Sequence, residues 1–141
     1  MSQFVLDCSV TMAWCFEDEA DAFADAVMNA LSRDNEALVP SIWPLEVANV
    51  LLTAERKGRS SAADSNRFLE LLQALPVRVD AQTGARAFGP TLAFGRDLGL
   101  TAYDAAYLEL AVRHGVPLAT RDARLKAAGR RSGVRLFVHG R

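Results

Sequence analysis

Phe4-Val5-Leu6-Asp7 is a three-residue apolar run that ends on a carboxylate. A short unbroken run of this kind reads as a buried strand. The form returns in Ala37-Leu38-Val39 before Pro40, in Val77-Arg78-Val79 after Pro76, in Leu118-Ala119-Thr120 and, last, from Arg135 to Val138. Helical stretches lie between the runs. Ala20, Phe23, Ala24, Val27, Met28 and Leu31 recur at helical spacing with acids among them, the pattern of an amphipathic helix. From Trp43 to Lys57 the apolar residues Leu45, Val47, Ala48, Val50, Leu51, Leu52 and Ala54 fall nearly all round the axis, which predicts a mostly buried helix closed by Gly58. Ser61-Ala62-Ala63-Asp64 opens the next as a capping box, with Phe68, Leu71, Leu72 and Leu75 as its core face and Pro76 as its stop. Ala81 to Phe94 reads as helical, with a break or kink expected at Gly89-Pro90. Thr101-Ala102-Tyr103-Asp104 opens a further, mostly buried helix through Val112, closed by Gly115 with Pro117 beyond, and Asp122 to Ala128 forms a short one. Strands separated by helices need crossover connections. The expected class is therefore α/β, a mostly parallel sheet with helices on both faces.

The chain has 141 residues and 15.3 kDa, half of them hydrophobic, with a mean hydropathy of +0.06. That length predicts one domain over residues 1–141 with a sizeable core. Charges interrupt every apolar stretch before the ~18 residues a membrane span requires. The first residues carry neither a basic region nor a small-residue cleavage site, so the expectation is a cytoplasmic protein without a membrane partner. Cys8 and Cys15 are too few for a disulfide scaffold and stand without the companions a zinc site needs; they read as small buried hydrophobes.

The formal net charge is -1, which excludes a broad basic surface for duplex DNA. The charges are unevenly spread. Asp7 to Glu36 holds eight acids against Arg33, whereas Arg121 to Arg141 holds seven bases (Arg121, Arg124, Lys126, Arg130, Arg131, Arg135, Arg141) against Asp122. Such asymmetry steers a polyanion toward one end, or is simply a solvated basic helix and tail.

Four acids sit where α/β sheets bind ligands, outside the carboxyl ends of strands. Asp7 follows the first run, Asp122 follows Leu118-Ala119-Thr120-Arg121, Asp104 begins a helix after Leu100, and Glu46 lies in the first turn of the helix after the second strand. Asp7, Asp104 and Asp122 each also suit a helix N-cap. Glu46, Asn49 and Thr53 form one narrow polar stripe on an otherwise apolar helix, facing either solvent or a site. Bare carboxylates ~4 Å apart repel by about 4 kcal/mol at an effective dielectric of 20, and a divalent cation removes that cost. A donor set of carboxylates without His or Cys favours Mg²⁺ or Mn²⁺, ions that serve phosphoryl chemistry. His114 and His139 stand alone. The chain contains no P-loop, no G-x-G-x-x-G and no nucleophile elbow, and its two lysines, Lys57 and Lys126, lie away from strand ends, against a phosphatase or phosphoacceptor receiver.

Val5-Leu6-Asp7-Cys8-Ser9, Pro44-Leu45-Glu46-Val47-Ala48-Asn49, Thr101-Ala102-Tyr103-Asp104-Ala105-Ala106-Tyr107 and Ala119-Thr120-Arg121-Asp122 together resemble, in order and spacing, the four motifs of PIN-domain ribonucleases, most closely the VapC-type toxins of toxin–antitoxin pairs. The resemblance spans essentially the whole chain. It implies a three-layer α/β/α fold and Mg²⁺- or Mn²⁺-dependent endonucleolytic cleavage of RNA. Asp7, Glu46, Asp104 and Asp122 would then be the catalytic and metal-holding acids, supported by the hydroxyls of Ser9 and Thr120. It further implies a homodimer and a cognate antitoxin. Asn49 joins the supporting set from the polar stripe rather than from the resemblance, and Arg121, Arg124 and Arg130 are candidates for the RNA backbone. The sequence departs from many relatives at Ala123-Arg124-Leu125, where they carry an aromatic. The competing expectation is a catalytically inactive PIN-like module that binds RNA or protein, with Trp14 and Phe16 either offered to a partner or packed in the core.

Overall fold

The computed structural model describes residues 2–31 and 34–138; Arg33, and His139 and Arg141 of the basic end, lie outside the described residues. The elements run β1 (Ser2–Leu6), α1 (Cys8–Ala13), a 3-10 turn (Glu17–Glu19), α2 (Ala22–Leu31), β2 (Asn35–Val39), α3 (Trp43–Arg56), α4 (Ala62–Gln73), β3 (Val77–Val79), α5 (Thr83–Arg86), a π-helical turn (Ala87–Thr91), α6 (Leu92–Leu98), α7 (Ala102–His114), β4 (Leu118–Ala119) and α8 (Ala123–Arg131).

The strands lie in the order β3-β2-β1-β4, and every ladder is parallel: Ser2 to Val5 pair with Asn35 to Leu38, Ala37 to Val39 with Val77 to Val79, and Val5 and Leu6 with Leu118 and Ala119. Phe4, Val5 and Leu6 are all buried, as are Ala37, Leu38 and Val39. Successive strand side chains point to opposite faces, so both faces of the central strands are covered and the fold has three layers. Right-handed crossovers assign the layers. The steps β1 to β2 to β3 travel one way across the sheet and lay α1 to α4 on one face. The return to β4, beyond β1, carries α5 to α7 over the other, where α7 packs on β1, β2 and β4.

Local signals set the helix ends. Ser61 accepts the Asp64 N–H at 3.1 Å and Thr101 accepts the Asp104 N–H at 3.1 Å. Gly115 closes α7 at φ 64°, a conformation costly for any residue with a Cβ. α7 is tied to the end of β3 by Arg113, whose guanidinium donates to both carboxylate oxygens of Asp80 (2.7 and 3.1 Å) and both of Glu109 (2.9 Å each).

Several expectations change. α3 buries only Trp43, Val47, Leu51 and Ala54; Leu45 is 67% and Leu52 46% exposed, because the helix has one face toward the core and its remaining apolar face is left in the open. Leu71, expected in the core face of α4, is exposed. At Gly89-Pro90, where a break or kink is expected, the chain makes a widened turn within a continuous helical path from Thr83 to Leu98. Proline has no N–H and its ring clashes with the carbonyl four residues back, and a π turn relieves both conflicts. The expected last strand over 135–138 reduces to one bridge, Leu118 to Leu136, because β4 is two residues long and offers no further partners. Phe16 belongs to the core and Trp14, half-buried, packs against it: Trp14 donates Nε1–H to the Ala24 carbonyl at 2.8 Å, and Phe16 lies buried with the Arg59 guanidinium 3.8 Å above its ring. Both cysteines are free, Cys8 buried and Cys15 half-buried. No helix among the described residues is long and apolar enough to cross a membrane.

Candidate active site

The chain leaves β1 toward β2 on one side and later returns to β4 on the other. The carboxyl ends of β1 and β4 therefore border a topological switch point, where α/β sheets open a crevice for ligands. Asp7 follows β1 directly and is 5% exposed. Its Oδ2 accepts two hydroxyl donors, Ser9 Oγ at 2.6 Å and Thr120 Oγ1 at 2.7 Å. Each hydroxyl in turn accepts a backbone N–H from the segment after β4: Arg121 N–H reaches Ser9 at 3.1 Å and Asp122 N–H reaches Thr120 at 3.0 Å. These bonds lace the two strand ends together and hold Asp7 in one rotamer.

The cap readings resolve differently at the three aspartates. Asp122 does cap α8, its Oδ1 accepting the Leu125 N–H at 2.9 Å. Asp7 stands at the N-cap position of α1 without a side-chain cap bond. At α7 the cap is Thr101, and Asp104 lies in the first turn.

Glu46, half-buried in the first turn of α3, receives a short hydrogen bond on Oε1 from the hydroxyl of Tyr107. Tyr107 is fully buried on α7, three residues after Asp104 and hence on the same helix face. Sequence reading gives Tyr107 no role. A signal for it exists: a phenol inside a buried, apolar helix needs a partner, and its spacing from Asp104 aims it at the same place. Asn49 is exposed one turn beyond Glu46.

The four acids are within electrostatic reach of one another in pairs. Burial pushes the Asp7 carboxyl above its usual range, and the Asp122 charge adds to this against the two hydroxyl bonds. Burial raises Glu46, with further repulsion from Asp7 and Asp104 against the Tyr107 bond. Burial also raises Asp104, followed by repulsion from Asp7 and Asp122, while Arg124 pulls it down. Cys8 lies in the same field; burial, then Glu46 and Asp7, push its thiol up to about 12, which keeps it protonated and a poor ligand. The bases divide. Arg124, exposed in the first turn of α8, is within electrostatic reach of Asp104. Arg130 lies in the last turn, about 9 Å further along the axis at 1.5 Å per residue. Arg121 turns aside to Glu19 (4.0 Å) and Asp21 (3.4 Å).

Among the described residues no three His, Cys, Asp or Glu side chains are gathered closely enough to chelate a bare ion. The donor set still suits Mg²⁺ or Mn²⁺. It is all hard oxygen, its charges repel one another, and Mg²⁺ keeps several waters while taking one or two carboxylates directly. Longer spans can be bridged by those waters.

The family model for the PIN domain matches residues 4–131. The chain belongs to the PIN domain family. The PIN fold is also seen in solved structures that resemble it. PAE2754 from Pyrobaculum aerophilum superposes with a TM-score of 0.67 at 25% identity, covering 90% of this chain and 79% of that one. VapBC2 from Rickettsia felis, solved bound to a DNA fragment from its promoter, gives 0.66 at 13% identity over 96% and 97% of the two chains. FitAcB from Neisseria gonorrhoeae gives 0.63 at 18% identity over 96% of each. In sequence, the uncharacterized protein y4kT of Sinorhizobium fredii is 29% identical over 94 residues, 67% of this PIN chain but only 18% of that relative's length.

Proposed function

We propose that this PIN domain is a metal-dependent endoribonuclease, the toxin of a type II toxin–antitoxin pair held in check by a cognate antitoxin in the cytoplasm. The observation that carries the reading is the hydrogen-bonded joint of Asp7, Thr120 and Asp122 at the carboxyl ends of β1 and β4, with Glu46 and Asp104 each within the electrostatic field of Asp7. These four acids would hold Mg²⁺ or Mn²⁺, directly or through water. When bound, the cation would activate water and neutralise charge on the phosphodiester oxygens. The chain's own groups do the positioning. Ser9 and Thr120 fix Asp7 through Oδ2; Tyr107 fixes Glu46 through Oε1; the Leu125 N–H fixes Asp122 through Oδ1. Asn49, at the open end of the same stripe, and Arg121, Arg124 and Arg130 on the basic side are the groups proposed to meet RNA.

The toxin reading draws on the fold shared with the VapBC2 and FitAcB complexes. A homodimer is proposed on the apolar side chains left open on α3 and in the α5–α6 segment, Leu45, Leu52, Leu92 and Phe88, the last 94% exposed. One observation favours the second reading, a PIN-like module that binds RNA or protein without cutting: among the described residues the acids do not close on a bare ion.

A pool of structured RNAs incubated with Mg²⁺, Mn²⁺ or EDTA, with Asp7→Asn alongside, separates the two. Discrete metal-dependent cuts absent from the variant are expected. No cutting of any RNA, with no heat of metal binding by calorimetry, would overturn the nuclease.

A further inference from the structure

The start of α3 carries no side-chain cap. Its N-cap residue is Ile42, which makes no cap bond, and Pro44 follows in the first turn. A bond from another helix holds it. Buried Trp43 donates its Nε1–H to Thr11 Oγ1 at 3.0 Å. Thr11 is fully buried on α1, and its hydroxyl donates in turn to the Asp7 carbonyl at 3.4 Å. That carbonyl also accepts the N–H groups of Val10 and Thr11, at 3.1 and 3.3 Å. The indole therefore ties the first turn of α3, which carries Glu46, to α1, whose N-cap position is Asp7.

A buried indole N–H needs an acceptor in any fold. This acceptor lies across a repulsive joint, because the charges of Glu46 and Asp7 oppose each other. The ring of Trp43 also lines the apolar groove between α3 and α4, with Pro44, Val47 and Leu72. Packing thus does not grip it on every side, and the N–H bond fixes its place. The spacing of acids matters unequally to different cations. Mg²⁺ demands near-octahedral oxygen at about 2.0–2.1 Å, whereas Ca²⁺ accepts more oxygens at about 2.3–2.6 Å in flexible arrangements, and rigidity helps decide between them.

We infer that Trp43 is a positioning residue: through Thr11 it fixes Glu46 relative to Asp7, and so makes the proposed cation site rigid enough to prefer Mg²⁺ or Mn²⁺ over Ca²⁺. The inference rests on the metal-dependent reading above and adds the device that sets its ion selectivity. Trp43 is not itself a ligand.

The test uses the full chain and no RNA. The electron paramagnetic resonance signal of free Mn²⁺ measures Mn²⁺ binding, and its displacement by Mg²⁺ or Ca²⁺ gives their relative affinities. Trp43→Phe removes the N–H donor and keeps an aromatic ring. It is expected to weaken Mg²⁺ and Mn²⁺ binding about ten-fold, the lower end for loss of a partner that orients a ligand, and to change Ca²⁺ binding by less than about two-fold. Thr11→Val, which removes the acceptor, gives the same shift, and the double variant loses no more. Thr11→Ser loses a buried methyl, and with it stability in urea unfolding, but keeps the hydroxyl and the ion preference of the parent. A merely structural role would instead make ion affinity follow stability across the series. An unchanged ratio of Mg²⁺ to Ca²⁺ affinity in Trp43→Phe, whether both fall together or neither moves, overturns the positioning role and leaves the metal site standing. If the unaltered chain binds none of the three ions, the metal-dependent reading falls first and the inference with it.

Discussion

At Asp7 two demands conflict. The carboxylate is buried, in the field of Asp122, and compensated only by two hydroxyl donors, so its charge is costly in the metal-free protein. Asp7→Asn keeps an oxygen for Ser9 and Thr120 and removes the charge. We expect this variant to lose cleavage and to melt a few degrees higher without metal, a gain on the order of 1 kcal/mol for relieved repulsion at an effective dielectric near 20. A lower melting temperature in EDTA would refute that account of the site. Tyr107 poses the complementary case. Its hydroxyl holds Glu46 in place and favours the ionised form. Tyr107→Phe should cost about 1–2 kcal/mol in urea unfolding, as expected for a buried bond to a charged acceptor, and should slow cleavage through a misplaced Glu46. Cleavage at the rate of the unaltered chain would show that Glu46 needs no orienting partner. The acids themselves were legible in the sequence because each follows a strand or opens a helix. For Tyr107 only the need of a partner was legible, and not which residue meets it, because Glu46 lies 61 residues away.

Among the elements, α7 matters most to the site, since it carries both Asp104 and Tyr107. Its far end is anchored by Arg113 between Asp80 and Glu109, and Thr83 adds a hydroxyl bond to Asp80 at 2.8 Å. The Arg113 guanidinium, ahead of the opposing effect of burial, holds the Asp80 carboxyl down at about 2, below its ordinary value of 3.8. A carboxylate depressed in the folded state stabilises the fold above its unfolded pKa, and that contribution is lost as pH falls through the folded value. Asp80→Asn should therefore cost about 2–4 kcal/mol at pH 7, the range for breaking a largely buried ion pair. The gap between variant and parent should close between about pH 4 and pH 2. Chemical denaturation across that range checks it; a gap that persists at pH 2 would assign the cost to packing instead. Helix ends were readable one by one because Ser61, Thr101 and Gly115 act on their own neighbours. The π turn around Pro90 was not: local rules predict the conflict proline creates, and only the packing of that segment against α6 and α7 decides how it is relieved.

For the molecule as a whole, a net charge of -1 leaves little general attraction for a polyanion, so on the proposed reading any affinity for RNA would have to come from the few bases near the site. Arg124 and Arg130 are both exposed on α8, whereas Arg121 is engaged by Glu19 and Asp21. Reversing Arg124 and Arg130 to Glu should weaken RNA binding and flatten its salt dependence, by about 0.7 in the log–log slope for each single-strand phosphate that is no longer neutralised. Binding titrations at several salt concentrations test this; an unchanged slope would return both residues to a solvated surface. The uneven charge was plain in the sequence, but its consequence for Arg121 was not, because the acids that claim it come from another part of the chain.

By itself the sequence determined the alternation of strands and helices, and with it the parallel α/β class and the placing of acids after strand ends, because hydrophobic period, caps and turn residues act over a few residues. The tertiary structure decided what those acids become. Setting β4 against β1 brings Thr120 to Asp7 across 113 residues, and swinging α7 over the central strands brings Tyr107 to Glu46. Strand order and the choice of which apolar face finds a partner depend on contacts distant along the chain, and local periodicity, which records only that a residue is apolar, does not contain them.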